Sequence, residues 1–329
     1  MTTTNPVATD DPEMVDPSLE SASVSVPWPS VDYSEWSATC DTVHAHSQVV
    51  GKLAVALAPR EPQLQHAALR LTARGLETSP LPAPDRSGAF VAGLDLHAHE
   101  AFLEHSDGRT ARVALTPDRP VRDVTREILD HARVLVGRVE IDPTPQEVSW
   151  TVPLDEDEQH ATYDTGAVAS YFAAATRASL VLAAFRAPYR ARVTPVNAWW
   201  GAFDLAVNLF SGSPAEPPSD EFIMRNSMNA EEVAVGWWPG DRRYPKAAFY
   251  AFAHPAPKEF ASARLSPPTA RWADDLGEYI LDWADVRSTP DPHATALEFA
   301  RSAFHNACIV CQWDPPLLAS AEGTPPPIT

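Results

Sequence analysis

The sequence predicts an α+β fold: two pseudo-repeats, each running helix, antiparallel strands, helix, packed as one compact unit. Three observations carry that expectation. The stretch "ALRLTARGLETSP" (68–80) is echoed without a gap by "AFDLAVNLFSGSP" (202–214), with Ala68/Ala202, Leu71/Leu205, Ser79/Ser213 and Pro80/Pro214 identical. Each half opens and closes on apolar residues spaced three and four apart, the helical period. Between those helices lie short runs bounded by turn residues that read as antiparallel strands.

In chain order, residues 1–27 form an acidic leader without Lys or Arg and with almost no large apolar side chain, so disorder is expected there. The first repeat spans 28–150. Its opening helix carries Trp36, Cys40, Val43, Val50, Leu53 and Leu57 on one stripe and stops at Pro59. The quoted stretch follows as a strand, with Leu69, Leu71 and Ala73 on one face and Arg70, Thr72 and Arg74 on the other. "AFVAGLDLHA", "EAFLEH" and "TARVALT" continue the sheet, with "SDG" (106–108) as a tight turn. A helix beginning near Pro120 and ending before Gly137 closes the half, and "GRVEID" is a candidate edge strand. In the acidic linker, 151–163, four consecutive acids (155–158) repel one another and are expected to stay in water. The second repeat, 164–313, opens on an Ala-rich helix capped by Asp164. The echoed strand, then "EEVAVGWW", "AAFYAFAHP" and "GEYILDWADV" as strands, lead to a last helix from Asp291-Pro292. Residues 314–329 read as a disordered tail.

Composition bounds the partners. A chain of 329 residues, 44% hydrophobic and 21% charged, buries a sizeable core without staples. A net charge of −19 argues against nucleic acid and anionic membrane, which need clustered Lys and Arg. Only three of the 25 basic residues are lysines (Lys52, Lys246, Lys258), a bias read as genomic composition. Three cysteines fit a reduced compartment better than a disulfide framework. There is no signal-peptide pattern, and no apolar run nears the roughly 20 residues that span a bilayer. The expectation is a soluble cytoplasmic protein.

Motifs with known chemistry give little. Neither a P-loop, a G-x-G-x-x-G turn nor a G-x-S-x-G elbow is present. Asp95, His97 and His99 alternate as if along one strand face, but three such residues spread over about 13 Å, too far to share one ion. The plainer reading is a solvated strand face, and no metal or other cofactor is expected. Cys308 and Cys311 form one C-x-x-C without a second pair and continue the stripe of Leu297, Ala300 and Phe304, where core packing suits them. Six of the ten tryptophans lie between 199 and 283; such density fills a core more often than it lines a pocket.

What remains follows from the echo. His44, Gln48 and Lys52 fall four residues apart on the first helix and share a face. If a pseudo-two-fold relates the halves, Arg70 and Arg74 would face Asp204 and Asn208 across a common cleft. The plainer alternative is a structural ion pair across the seam, with His44 and Lys52 in water.

The combination "VPWPS…W" (26–36), "SQVVGKLAVALAP" (47–59), "LTARGLETSP" (71–80), "HATYD" (160–164), "GAFDLAVNLFSG" (201–212) and "WWPG" (237–240) resembles an uncharacterised bacterial family of unknown function, family 5996. The resemblance covers roughly residues 26–313 and implies a fold grouping but no substrate. One departure is "QLQHAA" before the first echoed strand, where an aromatic-rich stretch would be expected and only His66 is kept. The leading functional expectation is binding of an anionic or aromatic small molecule in the inter-repeat cleft, with Arg70 or Arg74 holding an anionic group. The alternatives are an enzyme using His44 or Asp204 as general base in the same cleft, and an interaction protein acting through its acidic leader. Oligomeric state is not legible.

Overall fold

Two antiparallel sheets, one from each half of the chain, form the framework of the computed structural model, which describes residues 27–322. The acidic leader, apart from Pro27, and residues 323–329 lie outside the described residues. The first half runs α1 (Tyr33–Leu57), a 3-10 segment (Pro62–Ala67), β1 (Arg70–Leu71), β2 (Gly75–Glu77), β3 (Leu81–Pro82), β4 (Ala89–Asp95), β5 (Glu100–His105), β6 (Thr110–Ala114) and α2 (Val121–Val136). The second begins with α3 (Thr165–Arg186), β7 (Asn197–Trp199), β8 (Asp204–Pro214), α4 (Phe222–Ser227), β9 (Ala230–Trp238) and β10 (Ala248–His254). It ends with β11 (Arg271–Ala273), β12 (Glu278–Asp282), α5 (Trp283–Arg287), α6 (Pro292–Val310) and α7 (Pro315–Glu322).

Strand order is β1-β2-β4-β5-β6 in the first sheet, with β3 also on β4, and β11-β12-β10-β9-β8-β7 in the second. The sheets meet at their edges. Leu69 and Ala198 exchange both backbone hydrogen bonds, at 3.0 and 2.9 Å. Helix ends follow local rules: Asp32, Asp164 and Asp291 each accept a backbone N–H at the start of α1, α3 and α6. One continuous core runs from Tyr33 to Trp313 through both halves. By length and composition α3 could cross a bilayer. Here it buries Val168, Tyr171, Ala178, Leu182 and Phe185 against α6 and the second sheet, as a core helix does.

The fold is α+β, and each half does run helix, antiparallel strands, helix. The gap-free echo behind the duplication argument fails, however. Residues 68–80 are not one strand but a hairpin, with Arg70 opposite Glu77 and the Thr72 N–H bonded to Gly75 O at 2.8 Å. Residues 204–214 are a single long strand. The reason is local: where the first stretch has Ala73-Arg74-Gly75, the second has Val207-Asn208-Leu209, whose branched apolar residues suit a continuing strand.

Smaller expectations also change. The segment 151–163 is no solvated linker, since Leu154 and Asp157 are fully buried. Asp157 tolerates burial because it accepts the backbone N–H groups of Gln159 and His160 and the His160 ring N–H, the last at 2.6 Å. "GRVEID" forms no strand, the "WADV" of "GEYILDWADV" is helical, and residues 315–322 form α7 where a tail was expected. Asp95, His97 and His99 do not share a strand face. The strand ends at Asp95, whose carboxylate accepts the N–H groups of His97 and Ala98, and His99 turns to Tyr163.

Candidate functional site: a cavity on the open face of the second sheet

Strand periodicity gives the second sheet two unlike faces. Leu205, Val207 and Leu209 of β8, with Val233, Val235 and Trp237 of β9, pack into the core under α3 and α6. Their alternates point the other way: Asp204, Ala206 and Asn208 on β8, and Glu232, Ala234, Gly236 and Trp238 on β9. Tyr250 and Phe252 on β10 and Glu278 on β12 extend that second face. Above it lies a cavity of about 620 Å³, within the range of small-molecule sites. The 3-10 segment, the loop 147–150, α4 and the loop 240–243 enclose it.

Its floor is made of small side chains in register: Ala206 pairs with Gly236, and Asn208 with Ala234. Gly236 is required there. A Cβ would stand 2.3 Å from Tyr250 Cζ and 2.5 Å from the Leu205 carbonyl oxygen, so only glycine lets the Tyr250 ring cross the strand and donate its hydroxyl hydrogen bond to Asp204. Gly201 is less constrained: a Cβ there would meet Glu147 Oε2 at 2.3 Å, the end of a side chain that can swing away. Trp150, Trp199, Phe203 and Trp238 supply aromatic walls. Gln63, Leu64, Glu147 and Phe203, all lining the cavity, hold left-handed backbone at φ 52–58°. Such strain in non-glycine residues is held only where surrounding structure enforces it, and it gathers at functional sites.

Four carboxyls here are held above their ordinary range. Burial lifts Asp204 to about 7, outweighing the opposing Tyr250 hydrogen bond. Burial lifts Glu232 to about 8 against the hydrogen bond from Asn208, at 3.1 Å. Half-buried Glu278 rises to about 7 through burial and the nearby Asp204 charge. Glu147 rises to about 7 from crowding by protein, with Asp204 and Glu221 adding repulsion. Glu147 is exposed, so of the four its rise is the most screened. Carboxyls poised near neutrality in a cleft mark a candidate site and can exchange protons at neutral pH.

Of the residues named from sequence, the cavity brings together His44, Asp204 and Asn208. His44 stacks on Phe203 and directs Nε2 at the carbonyl oxygens of Trp200 and Gly201, at 3.0 and 2.9 Å. That geometry makes Nε2 a donor, and burial lowers its pKa to about 4; His44 positions the β7–β8 turn rather than offering a basic nitrogen at Nε2. Gln48 stands behind the wall, bonded to both N and O of Gln146 at 2.9 Å, and so anchors the loop that carries Glu147. Lys52 is buried over the Trp200 ring, 5.4 Å from its centroid, with its pKa lowered to about 8 by burial.

Arg70 and Arg74 do not face Asp204 and Asn208. Arg70 bonds Asn197 at the seam between the sheets. Arg74 lies on the first sheet, paired with Glu77 and Glu104 and set over the Phe102 ring. Because 68–80 folds into a hairpin, these arginines are carried away from the second sheet's open face. Glu147, Glu232 and Glu278 were missed, and Trp238 and Tyr250 belong to an aromatic cluster that the sequence favours as core but that here also lines the cavity. The available signal lay in "EEVAVGWW", where one alternation reads Val233, Val235, Trp237 and the other Glu232, Ala234, Gly236, Trp238. An acid beside Ala and Gly does not resemble an ordinary solvated strand face.

The chain belongs to a family of unknown function, DUF5996, whose model matches residues 28–320. No curated protein and no solved structure matches it.

Proposed function

We propose that this protein binds a small organic molecule in the cavity over the second sheet's open face. The observation that carries the reading is one sheet face holding Asp204, Glu232 and Glu278 around a floor of Ala206, Ala234 and Gly236, under aromatic walls. A solvated face would not leave acids partly neutralised, and a core would have filled the space with side chains. The test is a thermal-shift screen of a metabolite library on the wild type and on Ala234→Leu, which pushes a larger side chain up from the floor. Hits are expected to weaken more than a hundredfold in the variant. Hits indifferent to Ala234→Leu would put binding elsewhere and end this reading.

A second reading is favoured by the coupling of Asp204 to Glu147 and Glu278, carboxyls near 7 that influence one another. It makes the cavity an active site in which Asp204 gives or takes a proton; turnover of a screening hit, lost in Asp204→Asn, would support it. Phosphate-rich partners, nucleic acid and anionic lipid alike, fit poorly against these carboxyls. The cytoplasmic setting expected from the sequence belongs with this proposal, and none of Cys40, Cys308 and Cys311 forms a disulfide. The interaction role of the acidic leader lies outside the described residues; unchanged pull-down partners after deletion of residues 1–27 would remove it.

A further inference from the structure

We propose that the cavity takes an organic cation, an ammonium or guanidinium group carried on a flat or aliphatic body; the inference rests on the cavity being a binding site. Six acids line it without an ion pair among the described residues: Glu147, Asp204, Glu221, Glu232, Asp275 and Glu278. The two arginines on its wall are already committed, Arg242 to Asp41 at 3.1 Å and Arg243 to Asp241 at 2.9 Å. No lysine lines the cavity. An anion placed here would meet uncompensated like charge in a partly dry space, where repulsion is strongest.

The neutral polar atoms point the same way. Gln63, 7% exposed and lining the cavity, leaves Oε1 without a partner, while its amide nitrogen bonds Asn229. Asn208 Oδ1 is also buried and unpartnered. A buried acceptor left unmade is costly, so two in one cavity wall call for donors from a ligand. One unpartnered donor, Trp150 Nε1, stands against them. Trp150, Trp199, Trp238 and Phe252 offer faces that attract a cation and pack its apolar body.

A bound cation favours the ionised carboxyls, so its binding releases protons from them. The groups facing Asp204 are Tyr250 from β10, Glu278 from β12, Glu147 from the loop 147–150 and Tyr171 from α3. Glu221, the N-cap residue before α4, and Arg243 act on Glu147 from further round the wall. Asp204, Glu147 and Glu278 carry the protons to be released, and Arg243 partly opposes their retention on Glu147 and Glu278.

The test is calorimetry and thermal shift on the full chain with charge-matched trios. These are benzylammonium, benzyl alcohol and benzoate; then tryptamine, tryptophol and indole-3-acetate; with spermidine as a polycation. The cationic member of a trio is expected to bind at least tenfold tighter than its neutral and anionic partners. Its affinity should rise between pH 6 and 8, with proton release seen in buffers of different ionisation heat. Asp204→Asn, which keeps a side chain able to accept from Tyr250, and Glu278→Gln should each weaken binding about tenfold or more. Equal or tighter binding of a neutral or anionic member overturns the assignment, as does failure of every cation to bind. If library hits vanish in Ala234→Leu but none is a cation, the cavity stands as a binding site and only the charge class falls. Hits that ignore Ala234→Leu remove both.

Discussion

Arg74 and Asp204 are charged residues on two antiparallel sheets, and the chain resolves their charges in opposite ways. Around Arg74 every charge is answered. Its guanidinium meets Glu104 at 3.0 Å and Glu77 at 2.9 Å, Arg112 meets Glu104 at 2.6 Å and Glu100 at 2.8 Å, and Arg74 also covers the Phe102 ring at 3.7 Å. Around Asp204 no cationic side chain among the described residues forms an ion pair, and the carboxyl is held partly neutral at the cavity floor. A paired, half-exposed network is how a sheet face finishes itself against water. Buried carboxyls without counter-ions cost stability, and a fold keeps them where something is to be bound or moved. The contrast, rather than the charge of either residue, is what favours the second sheet for the proposed site.

The comparison can be broken most severely at Gly236. Gly236→Ala drives a Cβ into the Tyr250 ring and the Leu205 carbonyl oxygen, and should cost about 3 kcal/mol in chemical denaturation. A matching crossing exists in the first sheet, where a Cβ on Gly93 would stand 2.4 Å from Phe102 Cζ and 2.5 Å from the Leu76 carbonyl oxygen, so Gly93→Ala disturbs the ring under Arg74 and is the control of similar severity for Gly236→Ala. A smaller unfolding cost than about 1 kcal/mol for Gly236→Ala would mean that the Tyr250 ring moves aside freely and does not fix Asp204.

Next in size is the pH dependence. Asp204, Glu232 and Glu278 have folded pKa values raised to about 7, about 8 and about 7. Between their unfolded values near 4 and these raised values, the folded state binds more protons than the unfolded one. Unfolding free energy therefore falls as pH rises, the contribution of these groups being fully present below about pH 4 and lost through about pH 7–8. Asp204→Asn removes one such group and should gain about 1–3 kcal/mol relative to wild type at pH 8, with no gain at pH 4. Parallel wild-type and variant curves across that range would contradict the buried, uncompensated state of Asp204. Arg74→Ala gives the smallest effect: a loss of about 1 kcal/mol or less, reduced further in high salt, with ligand-induced thermal shifts unchanged. A lost ligand response in that variant would return the arginine to the site.

Much of the fold was legible because it rests on local rules. The stripe of Val121, Val124, Ile128, Ala132 and Leu135, the caps at Asp164 and Asp291, and the strands around the "SDG" turn all stand where the sequence puts them. The site was legible only in part. Asp204 and Asn208 were singled out through an echo whose register does not hold, and they line the cavity for another reason, their alternation on β8. Arg70 and Arg74 were placed there by the same echo and sit elsewhere, because a turn at Thr72–Gly75 reverses the chain before a second strand face can form. Trp237 and Trp238 show the limit most plainly. Adjacent in sequence and alike in composition, one is core and the other is cavity wall, and strand phase alone divides them.

By itself the sequence determined the α+β class, most of the helices and strands, the acidic balance and membership of one family, since periodicity, capping and composition act over a few residues or over the whole chain at once. Only tertiary structure decided which charges meet partners and which are buried without them. That depends on strand register and on segments far apart in the chain, residues 63–67, 147–150 and 240–243, closing over one sheet face. Desolvation is a property of the enclosure, so no single stretch of sequence carries it.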